Sequence, residues 1–163
     1  MSNIIPSEES IRKLIATNVA KATTIAALPI PFVDSAGVMF IQYQMIEKLA
    51  QNHGKIVNNK QVALIVTGLS AIMTKLITES FNGFSQKTNM NKLFSKAMVS
   101  ATVVSIFTTG IGELFHLHFK NGGTLGDFGL DSVTNYAQVQ MASEKLSIQN
   151  IGGSLVSSVM NQI

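Results

Sequence analysis

Glu113, His116 and His118 are the tightest group of ligand-capable side chains in the sequence. Glu113 and His116 stand three residues apart and so share a helix face, as the ligands of di-metal four-helix proteins do. Such sites also need a second carboxylate–histidine pair and further glutamates, which the sequence does not supply, and His118 faces elsewhere on the same helix. Glu113 and His116 are thus an incomplete metal candidate, and neither a metal nor another cofactor is expected. Asp34, Ser35 and His53 have the residue types of a hydrolytic triad, but no nucleophile-elbow sequence surrounds the serine. The glycine-rich stretch from Asn121 to Gly129 could offer backbone N–H groups to a phosphate. It lacks the Gly-Lys-Ser/Thr ending that supplies the lysine and the metal-binding hydroxyl, so it reads as a plain loop. With no cysteine, disulfides, thiolate catalysis and Cys–zinc sites are excluded. The chain is therefore expected not to be an enzyme.

A helical period runs through most of the elements that would position these residues, with Pro and Gly as punctuation. The spacing of Ile11, Leu14, Ile15, Val19, Ala22 and Ala26 predicts a first helix from about Ser7 to Leu28, ended by Pro29 and Pro31. Asp34 can cap a second helix, expected from Ser35 to a C-terminal Gly54. A third is predicted over Asn59 to Phe81, and a fourth over Asn91 to Phe119, uncharged between Lys96 and Glu113. The middle of the fourth is β-branched, and its length decides for helix over strand. Beyond the glycines, Asp131 can cap a helix to about Lys145, with a short amphipathic piece from Ile151 to Met160. The expected fold is all-α: one domain over residues 1–163, with two antiparallel hairpins at 7–54 and 59–119 and a C-terminal helical region at 131–163.

Apolar residues make up 46% of the 163 and charged ones only 13%, against about 25% in ordinary soluble proteins. Such a surface implies that some apolar area meets lipid or protein. The positive surplus lies mid-chain: from Lys55 to Lys96 six lysines face Glu79 alone. With no Trp, one arginine (Arg12) and no basic run interleaved with aromatics, nucleic acid is not an expected partner. Lysines beside apolar helices suit an anionic membrane surface, although plain solvation also accounts for them. Glu8 and Glu9 precede any apolar run, so no signal peptide is read, and a cytoplasmic or cytoplasm-facing location is expected.

The run Ala27-Leu28-Pro29-Ile30-Pro31-Phe32-Val33-Asp34, followed by Gln42, Met45-Ile46 and Gly54, resembles the YcjF-like family of bacterial domains of unknown function associated with GTPases. That resemblance implies membrane association, no established catalysis and a GTPase as a possible partner. Pro29, Pro31 and Asp34 are expected to act structurally, the prolines by forcing extended backbone before them. Gln42, Met45 and Ile46 are candidates for an interface.

Two functions remain open at this level. The first is a membrane-associated, self-assembling helical protein on the cytoplasmic face of a bacterial membrane, acting as an anchor, scaffold or permeabilising element. The second is a soluble cytoplasmic homo-oligomeric binding module. A spanning helix needs about 20 apolar residues, and the stretches Ala97 to Gly112 and Gln61 to Thr74 are short and rich in Ser and Thr. Partial insertion or peripheral attachment is expected over four full crossings.

Overall fold

Ser7 opens the first helix by accepting the Ser10 N–H at 3.2 Å, and Glu8 and Glu9 meet the positive helix end in the first turn. From that cap, Ile11, Ile15, Asn18, Ala22 and Ala26 recur on one buried face. The computed structural model describes residues 6–28, 33–85, 91–136 and 139. Over them run α1 (Glu8–Ala26), α2 (Val33–Asn52), α3 (Asn59–Ser85) and α4 (Lys92–Lys120). A further helical segment covers 130–136, and no strand occurs among the described residues, so the chain is all-α as expected.

Two of the connections are fixed by glycines in left-handed backbone. Gly54, at φ 66°, lets its N–H reach Gln51 O and the Lys55 N–H reach Ala50 O, both at 2.9 Å. Gly122, at φ 94°, closes α4 in the same way through Gly122 to Phe119 O and Gly123 to His118 O. These paired bonds satisfy the last carbonyls of each helix. Asn58 then starts α3 by accepting the N–H groups of Lys60 and Gln61 at 3.0 and 3.3 Å.

Successive helices run antiparallel, and α4 packs against α1, α2 and α3, whereas α1 and α3 do not touch. The β-branched middle of α4 is helical because it is enclosed: Val99, Val103, Val104, Phe107, Ile111, Phe115 and Phe119 are all buried. Segment 130–136 closes a further side, with Val133 buried, Leu130 against Gly68 of α3 and Tyr136 against Gly110 of α4.

The boundaries differ from expectation in three places. Helix α2 begins at Val33, so Asp34 lies in its first turn and not ahead of it. Pro29, Pro31 and the side chain of Asp34 lie outside the described residues. Helix α3 continues past Asn82 and Gly83 to Ser85; a glycine costs a helix only about 1 kcal/mol, less than the hydrogen bonds of another turn restore. Of the helix expected over 131–145, the structure describes 130–136 and residue 139, and the piece at 151–160 lies outside the described residues.

Helix α1 packs closely on α4 at Gly112. A Cβ on Gly112 would stand 2.8 and 2.9 Å from Cγ2 and Cγ1 of buried Ile15, atoms too near that residue's backbone to swing away. A Cβ on Gly83 would meet nothing within 4 Å. Gly112→Ala is therefore expected to lower unfolding free energy by about 1–3 kcal/mol, and Gly83→Ala to raise it by about 0.4–1 kcal/mol. Urea denaturation of the two variants checks both signs.

Candidate functional site

One end of the bundle gathers the start of α1, the end of α2 and the end of α4, and with them most of the histidine chemistry. His116 is buried on α4 and uses both ring nitrogens. Its Nε2 lies 3.1 Å from Glu8 Oε2 of α1, and its Nδ1 lies 3.0 Å from Nε2 of His53, just past α2. Glu8 Oε1 accepts from the Lys120 ammonium. A neutral His116 that donates from Nε2 to the Glu8 carboxylate and accepts at Nδ1 from His53 satisfies every one of these contacts.

Lys120 above all, and His116 after it, hold the Glu8 carboxyl below the usual carboxylate range. Burial, reinforced by the neighbouring His116, pushes His53 below the usual histidine value. Beside this row, His118 donates from Nε2 to Thr124 O at 2.9 Å and to Asp127 Oδ1 at 3.0 Å. Asp127 also accepts the Thr124 N–H at 2.7 Å, the leading reason its carboxyl is held low. Phe128 stacks on Phe115 with ring centroids 3.8 Å apart, so the loop after α4 is tied down through both polar and aromatic contacts.

This row could relay a proton, but among the described residues no hydroxyl is bonded to either imidazole for it to activate. Nor do three potential metal ligands converge on one point among them, since Glu8 and His53 lie on opposite sides of the His116 ring.

The pairing expected from spacing is not the one observed. Glu113 lines an open cleft of about 610 Å³ between α1 and α4, together with Arg12 and Thr109, and does not join His116. Neighbours three apart on a helix share a side of it, yet His116 is drawn inward and Glu113 stays at the rim. The partners of His116 are 63 and 108 residues away in sequence, a distance that no local spacing signals. Ser35 and His53 sit at opposite ends of α2, separated by about 27 Å at 1.5 Å per residue.

Gln42, Met45 and Ile46 are fully buried and face neighbouring helices of the same chain, so the interface they form is internal. Gln42 Nε2 donates to Thr108 Oγ1 at 3.1 Å and to Met73 Sδ at 3.6 Å, which links α2, α3 and α4, while its Oε1 has no partner among the described residues.

Asn59–Gly83 and Ser95–Lys120 are both long and apolar enough to cross a membrane. They differ in how far they are enclosed: 56% of the α4 window is buried in the bundle, against 22% of the α3 window.

A family described as a domain of unknown function, DUF697, matches residues 4–145, which include all four helices and the whole histidine row. The chain belongs to this family. A protein of Magnetospirillum gryphiswaldense called magnetosome membrane protein 22 is 28% identical to this DUF697 chain over 152 residues, 86% of the chain and 76% of that protein. No solved structure matches it.

His53 and Glu8, both lowered, act in the same direction on stability. His53 resists protonation in the fold, so the unfolded chain takes the proton first and stability falls as pH drops below the ordinary value of 6.5 towards the lowered one. Glu8 stabilises above its ordinary value of 4.5, and that contribution is lost as pH falls through its lowered value. The melting temperature of this DUF697 chain should therefore fall between about pH 7 and pH 5. His53→Gln keeps an N–H donor towards His116 without a titratable ring, and should flatten that part of the profile in calorimetric scans.

Proposed function

We propose that this chain is a non-enzymatic, membrane-associated protein that anchors or scaffolds at the cytoplasmic face of a bacterial membrane and self-assembles there. The outer face of α3 carries this reading. That helix has no charge from Gln61 to Thr74, only 22% of its membrane-length window is buried in the bundle, and Leu64 is 72% exposed. Its outward hydroxyls are already satisfied within the helix: Thr67 and Thr74 each donate to the carbonyl four residues back at 2.8 Å, and Thr78 does so at 2.9 Å. A helix face whose polar groups are internally bonded loses little when it leaves water.

The name of the Magnetospirillum relative, a magnetosome membrane protein, supports the same reading. The enclosure of α4 favours attachment from the side over crossing, because insertion of the α3–α4 pair would strip α4 of its packing on α1 and α2. Permeabilisation needs that opening, so anchoring and scaffolding are preferred. The narrower kinship with YcjF-like domains, and a GTPase partner with it, rests on the pattern from Ala27 to Gly54. The enclosed α4 equally suits a soluble homo-oligomer, which separates from the first reading by experiment.

Vesicle flotation decides between them. The purified chain should float with anionic vesicles and be released by an alkaline wash, as a peripheral protein is, and light scattering should give a mass above that of one chain. A chain that stays unbound at every lipid composition contradicts the membrane reading, and a clean monomer in detergent-free buffer contradicts self-assembly in either form.

A further inference from the structure

The turn between α2 and α3 presents a large apolar side chain to solvent between two capped helix ends. On its upstream side, the left-handed Gly54 and the Lys55 N–H lock the end of α2; on its downstream side, Asn58 caps α3. Between these caps residues 55–58 form no regular structure, and Val57 packs against the core. The residue before it, Ile56, is 91% exposed. Single exposed apolar residues are ordinary on protein surfaces. This one sits between two capped helix ends and has Lys55 and Lys60 on either side, in a stretch from Lys48 to Thr78 that contains no acidic residue.

We propose that this turn is the point of first contact with the bilayer, with Ile56 entering the interface of an anionic lipid surface and Lys55 and Lys60 seated on its headgroups. The proposal rests on the membrane association put forward above. An apolar tip flanked by cations is the composition that binds such surfaces, the side chain through burial and the lysines through the negative surface potential. A second copy of the chain is a poorer occupant: a two-fold contact through Ile56 would set Lys55 and Lys60 of one copy against the same lysines of the other. Leu64, on the second turn of α3, and Leu117, on the last turn of α4, are also exposed at this end of the bundle. They supply further apolar area once the tip has docked.

The chain contains no tryptophan, so Ile56→Trp introduces a single emitter, and Thr67→Trp provides a separate one on the α3 face. Both variants are mixed with phosphatidylcholine vesicles with and without phosphatidylglycerol. Emission from position 56 should shift to the blue with the anionic vesicles and far less with the zwitterionic ones. Ile56→Asp should bind anionic vesicles about tenfold more weakly, the loss expected for one buried isoleucine, with an unchanged circular dichroism melt. Lys55→Glu with Lys60→Glu should abolish the preference for phosphatidylglycerol.

Wild-type protein that floats while position 56 keeps its solvent emission, and while Ile56→Asp binds normally, overturns the proposal and leaves membrane association standing. A blue shift that appears on concentration without lipid assigns the tip to a second copy and also overturns it. Failure of the wild-type chain to float removes both.

Discussion

The packing of α4 constrains everything else in this fold. A helix whose middle is largely apolar and β-branched has little face to give to water, and it is stable here because α1, α2 and α3 pack on it and segment 130–136 reaches it at Gly110. Contact with α1 depends on Gly112, where the missing Cβ admits Ile15. Contact with α2 depends on Gln42, whose amide reaches Thr108 on α4 and Met73 on α3 from a fully buried position. A slide of α2 by one turn would leave that donor against apolar side chains, at the cost of an unmade buried hydrogen bond. The apolar core supplies the attraction, and these two contacts set its register.

The polar row at the end of the bundle follows from the same packing. Enclosure of α4 carries His116 inward, and a buried imidazole needs partners for both nitrogens. Glu8 and His53 provide them because α1 starts, and α2 ends, at the level where α4 ends. Lys120 then balances the Glu8 charge. The row fastens three helix ends together without assembling a nucleophile or a metal cage among the described residues, and it makes the fold sensitive to acid through His53 and Glu8.

Much of the architecture was legible in the amino-acid sequence because it is written in periodicity. The stripe Ile11, Ile15, Ala22 and Ala26 announces α1, and Gly54 announces the end of α2 through the one conformation that glycine adopts cheaply. Length rightly overrode β propensity in α4, since the run is far longer than a strand. What periodicity could not supply was the third dimension. Glu113 and His116 share a side of α4 but differ in depth, one at the rim of a cleft and the other buried, and the true partners of His116 come from two other helix ends. Gln42, Met45 and Ile46 were readable as special but not as internal, because a helix facing its own bundle and one facing a partner have the same pattern. Family membership in DUF697 adds a fold-wide kinship but assigns no chemistry to any of these residues.

If the bundle meets the membrane from outside, α4 must stay enclosed while the chain is bound. The absence of native cysteine makes this directly testable with a reversible staple between α1 and α4, Ile15→Cys with Gly112→Cys, at the site where a Cβ on Gly112 would stand 2.8 Å from Ile15 Cγ2. Binding of the oxidised and reduced forms of this one variant to anionic vesicles is then compared. Equal binding is the result predicted for a closed bundle that attaches peripherally. Binding by the reduced form alone, lost on oxidation and regained on reduction, would contradict it and show that α1 must leave α4 for the helices to enter the bilayer.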